Sequence, residues 1–218
     1  MAQVEAATSE IVTGEKSGRI DTRQTSVLAA ICLAAGIAFL VYLLVAGLDT
    51  IGRHMLVISL VRLSFLAGLI AFAASVRRSE GLFHVGLLLA AVSAALNMAG
   101  AFAWVVTDGW SYNAFDTGGT GLPPWYAFMI GGSAFLFALG TILTGIAAIR
   151  TRAKPVLALA VLLAGLLYPL AIPLGATGHA IWTLPWLAVG ILTLAACRES
   201  APAARAQLTR HQRRHMDV

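Results

Sequence analysis

Six side chains in this sequence have the chemistry to hold a small anion: Arg62, Asn97, Tyr168, His179, Trp182 and Trp186. A guanidinium is a permanent cation whose planar fork of donors matches a carboxylate or phosphate. An amide, a phenol and an imidazole add hydrogen bonds, and each indole adds a flat apolar wall with one N–H. These six are the candidate ligand-binding set. No residue is assigned a catalytic, cofactor-binding or metal-binding role. Arg62 carries the most weight, because it is the lone charge in the apolar run from Met55 to Val76. A charge in such a run costs several kcal/mol unless it snorkels or is paired. No Asp or Glu falls inside any long apolar run. The partner of Arg62 is then a loop carboxylate (Asp49, Asp108 or Asp116), a freed backbone carbonyl, a lipid phosphate or an anionic ligand. The bland alternative is snorkelling to the outer headgroups.

The other candidates gather in one stretch, Tyr168 to Trp186, which reads YPLAIPLGATGHAIWTLPW. Pro169, Pro173 and Pro185 each remove a backbone donor. Backbone freed at membrane depth is tolerated where it is buried in protein or lines a wet cavity. The stretch is therefore expected to form the outer ends of two helices, partly unwound, beside a cavity. Ordinary proline kinks are the plainer alternative.

Other chemistries find less support. A haem needs a ligand pair at matched depth on facing helices; His54 and His179 are level but near the surface, and His84 is at the other face. His211 and His215 share a helical spacing inside a basic tail, where a solvated role suffices. Cys32 and Cys197 form no CxxC, and neither falls in an outer loop. They read as small packing residues rather than a disulfide or a thiol-oxidase centre.

Positioning these residues is the work of six apolar runs. The chain has 218 residues, 59% hydrophobic and only 11% charged, with a mean hydropathy of +0.83. Soluble domains carry about 25% charged residues, and a bilayer-crossing helix needs about 20 apolar ones. The runs fall at about 27–48, 55–76, 82–106, 124–149, 155–174 and 179–197. The expected fold is all-α: a polytopic six-transmembrane-helix bundle spanning 27–197. A disordered polar tail, 1–26, precedes it and a basic tail, 198–218, follows it.

Charge sets the orientation. Lys16, Arg19 and Arg23, then Arg77 and Arg78, then Arg150, Arg152 and Lys154, then the arginines from Arg198 to Arg214 all fall on one side of a six-span chain. The other side holds Arg53 with Asp49, Asp108 and Asp116. Positive residues mark the cytoplasmic side, so both termini are expected there. This use of the basic residues argues against nucleic acid as a partner, despite a sequence pI near 9.8. Arginine-rich, Ala-, Gly- and Leu-dominated composition points to a bacterial cytoplasmic membrane.

With that orientation, Arg62, Asn97, Tyr168, His179, Trp182 and Trp186 all belong to the outer half. The expectation is an outward-facing vestibule, with the loop 107–123 either lying in the interface or acting as its lid. Small residues at four-residue spacing, Ala30, Ala34 and Ala38 on the first span and Thr141 and Gly145 on the fourth, are expected to be buried at helix contacts.

Two resemblances follow from these residues. Gly131, Gly132, Ser133 and Ala134, continued by Phe137, Ala138 and Leu139, resemble the Gly-x-Ser-Gly segment of rhomboid proteases. That resemblance implies an intramembrane serine protease with Ser133 as nucleophile and His179 as base. Ala134 replaces the second motif glycine, and Trp182 stands where a close-packing glycine follows the histidine in that family. Size, six spans and the alanines at four-residue spacing are similar to the substrate-binding subunits of energy-coupling-factor vitamin transporters, an architectural likeness without a motif. The chain is assigned to neither family. The working expectation is a membrane protein that binds or translocates a small, anionic solute. The alternative is a non-catalytic accessory protein that packs on a partner membrane protein through small-residue faces, with the lipid bilayer as a partner in either case.

Overall fold

The computed structural model describes residues 21–46, 51–76, 81–106, 124–152, 154–171 and 173–216, without the side chains of 46, 51–55, 104–106, 124–128, 130 and 200–216. Six helices make up the fold: α1 (Thr22–Ala46), α2 (Ile51–Ser75), α3 (Gly81–Val106), α4 (Pro124–Arg150), α5 (Pro155–Ala171) and α6 (Gly175–Met216). Among the described residues there is no strand. The loop 107–123 and residues 1–20 lie outside the described residues, whereas 22–26, expected as the end of a disordered tail, form the start of α1.

Five of the helices are long and apolar enough to cross a membrane. The sixth, α5, has 17 residues, at the short end of the roughly 17–25 that span a bilayer. The surface fits this environment. Leu44, Val45, Phe135, Val156 and Leu88 point outward, while Ser59, Ser93, Asn97, Ser133, Thr141, Thr144, Thr183 and Thr193 are buried. In water, such an inversion would forgo about 1.5–3 kcal/mol for each large apolar side chain left exposed. In lipid the outward leucines cost nothing, and inward hydroxyls find partners between helices. The chain is an all-α multi-pass membrane bundle.

The helices pack in chain order around a ring, α1 on α2, α2 on α3 and so on to α6, which closes against α1; α2 also touches α6. One side of the ring is tight. A Cβ on Gly140 of α4 would stand 2.6 Å from the Gly86 carbonyl and 2.7 Å from the Ala90 nitrogen of α3. A Cβ on Gly145 would stand 2.8 Å from the Leu162 backbone of α5. The buried Thr141–Gly145 face is thus a helix contact, as expected.

The alanine stripe on α1 is a correction. Ala30, Ala34 and Ala38 are exposed rather than buried. The residues that α1 turns inward are Ala29, Cys32, Gly36 and Phe39. A four-residue spacing identifies a face but not its direction, and here neighbouring residues made the closer fit. A Cβ on Gly36 would collide with Leu187 of α6, and one on Gly68 with Cys32. Both cysteines are buried free thiols, and Cys32 Sγ lies 3.6 Å from the Trp186 carbonyl as a weak donor.

The turn between α5 and α6 is also tighter than expected. α5 runs to Ala171 and α6 begins at Gly175, so helix extends through most of the proline-rich stretch. Leu174 N donates to Leu170 O at 3.3 Å, and Gly175 takes a left-handed φ of 56° that starts α6 at once. Gly178 then lies so close to α5 that a Cβ would meet Ala171 Cα and Leu170 O at 2.7 Å. Pro169 sits within α5 with an exposed ring, and α6 runs unbroken through Pro185 to Met216.

The tight side of the ring yields a contrast between two glycines of one helix. Gly140→Ala is expected to destabilise the protein by about 1–3 kcal/mol, because its methyl meets unyielding backbone. Gly131, where an added Cβ meets nothing within 4 Å, is expected to be neutral or to gain up to about 1 kcal/mol from helix propensity on replacement by alanine. Thermal unfolding of both variants in one mild detergent measures the difference.

Candidate functional site

The helical period brings the polar candidates to the inside of the ring. On α2, Ser59, Arg62 and Phe65 recur at three-residue spacing and share a face. On α3, Ser93 and Asn97 are one turn apart, as are Ser133 and Phe137 on α4 and Trp182 and Trp186 on α6. All of these side chains are buried.

A hydrogen-bonded chain crosses three helices. Ser59 Oγ donates to Asn97 Oδ1 at 2.7 Å. Asn97 Nδ2 donates to Ser133 Oγ at 3.2 Å. Arg62 Nη1 donates to the same oxygen at 3.3 Å. Ser93 Oγ donates to the Ser133 carbonyl. Ser133 is therefore the node at which α2, α3 and α4 meet.

Arg62 is 3% exposed, so it does not snorkel to the outer headgroups. Its guanidinium carbon lies 4.9 Å from the centre of the Tyr168 ring on α5. A cation over a desolvated ring gains about 2 kcal/mol. That contact and one hydroxyl offset only part of the cost of burying the charge. No carboxylate pairs with Arg62 among the described residues, and its Nε has no hydrogen-bond partner among them.

Beyond Tyr168 the interior is aromatic. Tyr168 and Trp182 lie 4.6 Å apart between centroids. Phe65 stacks on Trp186 at 4.9 Å and meets Trp182 edge-on at 5.1 Å. Phe137 touches Tyr168, Trp182 and Trp186 from α4. His179 stands at the rim, half-buried, with its ring edge-on to Trp182 at 6.3 Å and to Phe39 at 6.2 Å. Its Nδ1 lies 2.9 Å from the Gly175 carbonyl.

The aromatic cluster has a surplus of donors. The Tyr168 hydroxyl and the indole N–H groups of Trp182 and Trp186 are buried and lack partners among the described residues, as does Arg62 Nε. Buried polar groups in folded proteins are nearly always satisfied. A cation and several unmatched donors in one apolar enclosure form an environment suited to an anion.

All six sequence candidates thus occur in one region: Arg62, Asn97, Tyr168, Trp182 and Trp186 in its core, and His179 at its edge. Sequence reading missed Ser59, Phe65 and Phe137 as members, placed Ser93 on the face of Asn97 without making it a candidate, and took Ser133 as a plain contact residue. The signal was available as helical spacing from Arg62, Asn97 and Ser133. The nucleophile–base pairing implied by the rhomboid resemblance is not formed. Ser133 Oγ receives Arg62 and Asn97, whereas His179 Nδ1 turns to its own helix. The stretch from Tyr168 to Trp186 packs its aromatic side chains into the core and exposes Pro169 and Pro173. Among the described residues no group of three or more His, Cys, Asp or Glu could hold a metal. The side chains of His54, His211 and His215 lie outside the described residues. No protein-family model, curated protein or solved structure matches the chain.

Asn97→Leu keeps the volume but leaves Ser59 and Ser133 without their amide partner. The loss of these two buried hydrogen bonds is expected to cost about 1–3 kcal/mol in total. Ser64→Ala, which removes only a bond from Ser64 Oγ to its own helix at Leu60 O, is expected to stay within about 0.5 kcal/mol. Equilibrium unfolding of the two variants checks the contrast.

Proposed function

We propose that this membrane protein binds a small anionic solute within the outer half of the bundle, with Arg62 as the counter-charge. The observation that carries this reading is the buried Arg62, unpaired by any described carboxylate and lying over the ring of Tyr168, whose hydroxyl has no described partner. In this reading the anion is held by Arg62 Nε together with the Tyr168 hydroxyl, while Trp182 and Trp186 form the wall. Asn97 fixes Ser133, which in turn holds Arg62 Nη1. His179 stands at the rim of the site. The described aromatic side chains of the site pack against one another, so an anion held between them requires them to part. The charge distribution along the sequence supports cytoplasmic termini and an outer location for the site.

The accessory-protein reading has one observation in its favour: Ala30, Ala34 and Ala38 turn outward, where a partner helix would find small residues. It expects no dependence on anions.

Thermal unfolding against a panel of anions separates the two. A ligand specific for the folded state, present at a hundred times its dissociation constant, adds about 2.7 kcal/mol of stability. Wild type is expected to shift with at least one anion. Arg62→Lys keeps the charge but loses the planar fork, and is expected to weaken the shift. Tyr168→Phe removes a hydroxyl that has no described partner. It is expected to leave the unliganded stability within about 0.5 kcal/mol and to reduce the shift. A response to no anion, with Tyr168→Phe indistinguishable from wild type, would refute the anion site and favour the accessory reading.

A further inference from the structure

An anion bound at Arg62 needs a way in, and the outer half of the bundle has a groove on its side. Between α1 and α2 lies an open groove of about 320 Å³. Ala35, Ala38, Phe39 and Tyr42 form one wall, and Val57, Leu60, Val61 and Ser64 the other. Its size is near the lower end of the ~300–1,000 Å³ usual for ligand pockets. The lining is almost wholly apolar. At 1.5 Å per residue, Phe39 lies about 10 Å below the outer end of α1, and Arg62 about 16 Å below that of α2. Groove and cation therefore share the outer half.

They also share a wall. Phe39 lines the groove and meets His179 on its other side. His179 meets Trp182, Trp182 meets Tyr168, and Tyr168 lies under Arg62. Val61, also in the groove, directly precedes Arg62 in α2. The groove opens through outward-facing residues such as Ala38 and Leu60, and in a bilayer such a face meets acyl chains rather than water.

Resting on the anion reading, we infer that the ligand arrives from the bilayer as a single-chain anionic amphiphile. Its acyl chain lies in the α1–α2 groove and its carboxylate or phosphate head reaches Arg62 past Phe39. Charge complementarity selects this occupant over a neutral chain. The buried cation is the residue after Val61 of the groove wall, and the groove itself is almost wholly apolar.

The test uses the full chain in nanodiscs of zwitterionic phosphatidylcholine, with saturable thermal stabilisation as the readout. The probes are dodecanoate, acetate and dodecanol. Dodecanoate is expected to bind at least tenfold more tightly than acetate or dodecanol. Ala38→Trp and Leu60→Trp fill the groove from outward-facing positions. Each is expected to weaken dodecanoate at least tenfold while leaving acetate unchanged and the unliganded unfolding temperature close to wild type. Arg62→Lys is expected to weaken dodecanoate and acetate but not dodecanol. Equal affinity for dodecanoate and acetate, or dodecanoate binding indifferent to both groove variants, overturns the lateral route and leaves the anion site standing. Dodecanol binding as tightly as dodecanoate severs the groove from Arg62 and overturns the inference. Binding by neither anion overturns the inference and the anion reading together.

Discussion

A guanidinium enclosed in an apolar bundle without a described carboxylate constrains the rest of this structure. A buried charge is tolerable only where dipoles, ring faces or counter-charges replace its hydration. Here the replacement is assembled from three other helices. Ser133 from α4 offers its hydroxyl, Tyr168 from α5 offers its ring, and Asn97 from α3 holds Ser133 in place. Each contact fixes one helix relative to α2. The hydrogen bonds therefore serve as registry marks in a medium where apolar packing alone distinguishes poorly between helix faces.

The ring of helices is built by two opposite means. On the α3–α4–α5 side, Gly86, Gly140, Gly145 and Gly165 let backbones touch, and dispersion between closely spaced atoms holds the helices together. In the middle, where α2 and α6 face α4 and α5, large rings fill the space. Phe65, Phe137, Tyr168, Trp182 and Trp186 each contact at least two other rings of the cluster or, for Tyr168, the guanidinium as well. Such offset and edge-on contacts contribute about 0.5–1.5 kcal/mol each beyond simple burial. Along the outer half of the α1–α2 seam Phe39 and Tyr42 stack on each other within α1, and a groove lies between them and α2.

The same features that make the interior cohere leave it chemically unbalanced. Donors on Arg62, Tyr168, Trp182 and Trp186 have no partner among the described residues, and the interior's one described charge is positive. A purely structural core gains nothing from indole and phenol hydrogens that lack a partner among the described residues, since phenylalanine would fill similar space without the desolvation cost. The surplus links the packing to the proposed function: an incoming anion would satisfy what the side chains do not. That the groove reaches the same cluster through Phe39 and His179 ties the lipid-facing surface to the interior.

The sequence by itself determined the class of fold. Six apolar runs and scarce charge dictate membrane helices, because backbone groups in hydrocarbon must be satisfied within each segment. It also singled out Arg62, Asn97, Tyr168, Trp182 and Trp186, since polar and aromatic residues stand out against a background of Leu, Ala and Val. The tertiary structure decided the direction of each face. The stripe Ala30, Ala34, Ala38 and the inward set Ala29, Cys32, Gly36, Phe39 occupy the same helix, and periodicity treats them alike. Contact with Gly68, Leu187 and Trp186 makes the second set the inner one. Ser133 shows the same limit, because a serine in a small-residue run is ambiguous until Arg62 and Asn97 arrive from other helices. The short connection between Ala171 and Gly175 was hidden for a related reason. Three prolines mark a region of missing donors, but only the packing of Gly178 on Ala171 brings the start of α6 against the end of α5. Local sequence fixes which residues differ from their neighbours. Which of them meet depends on helix rotation and depth, and those are set by contacts between residues far apart in the chain.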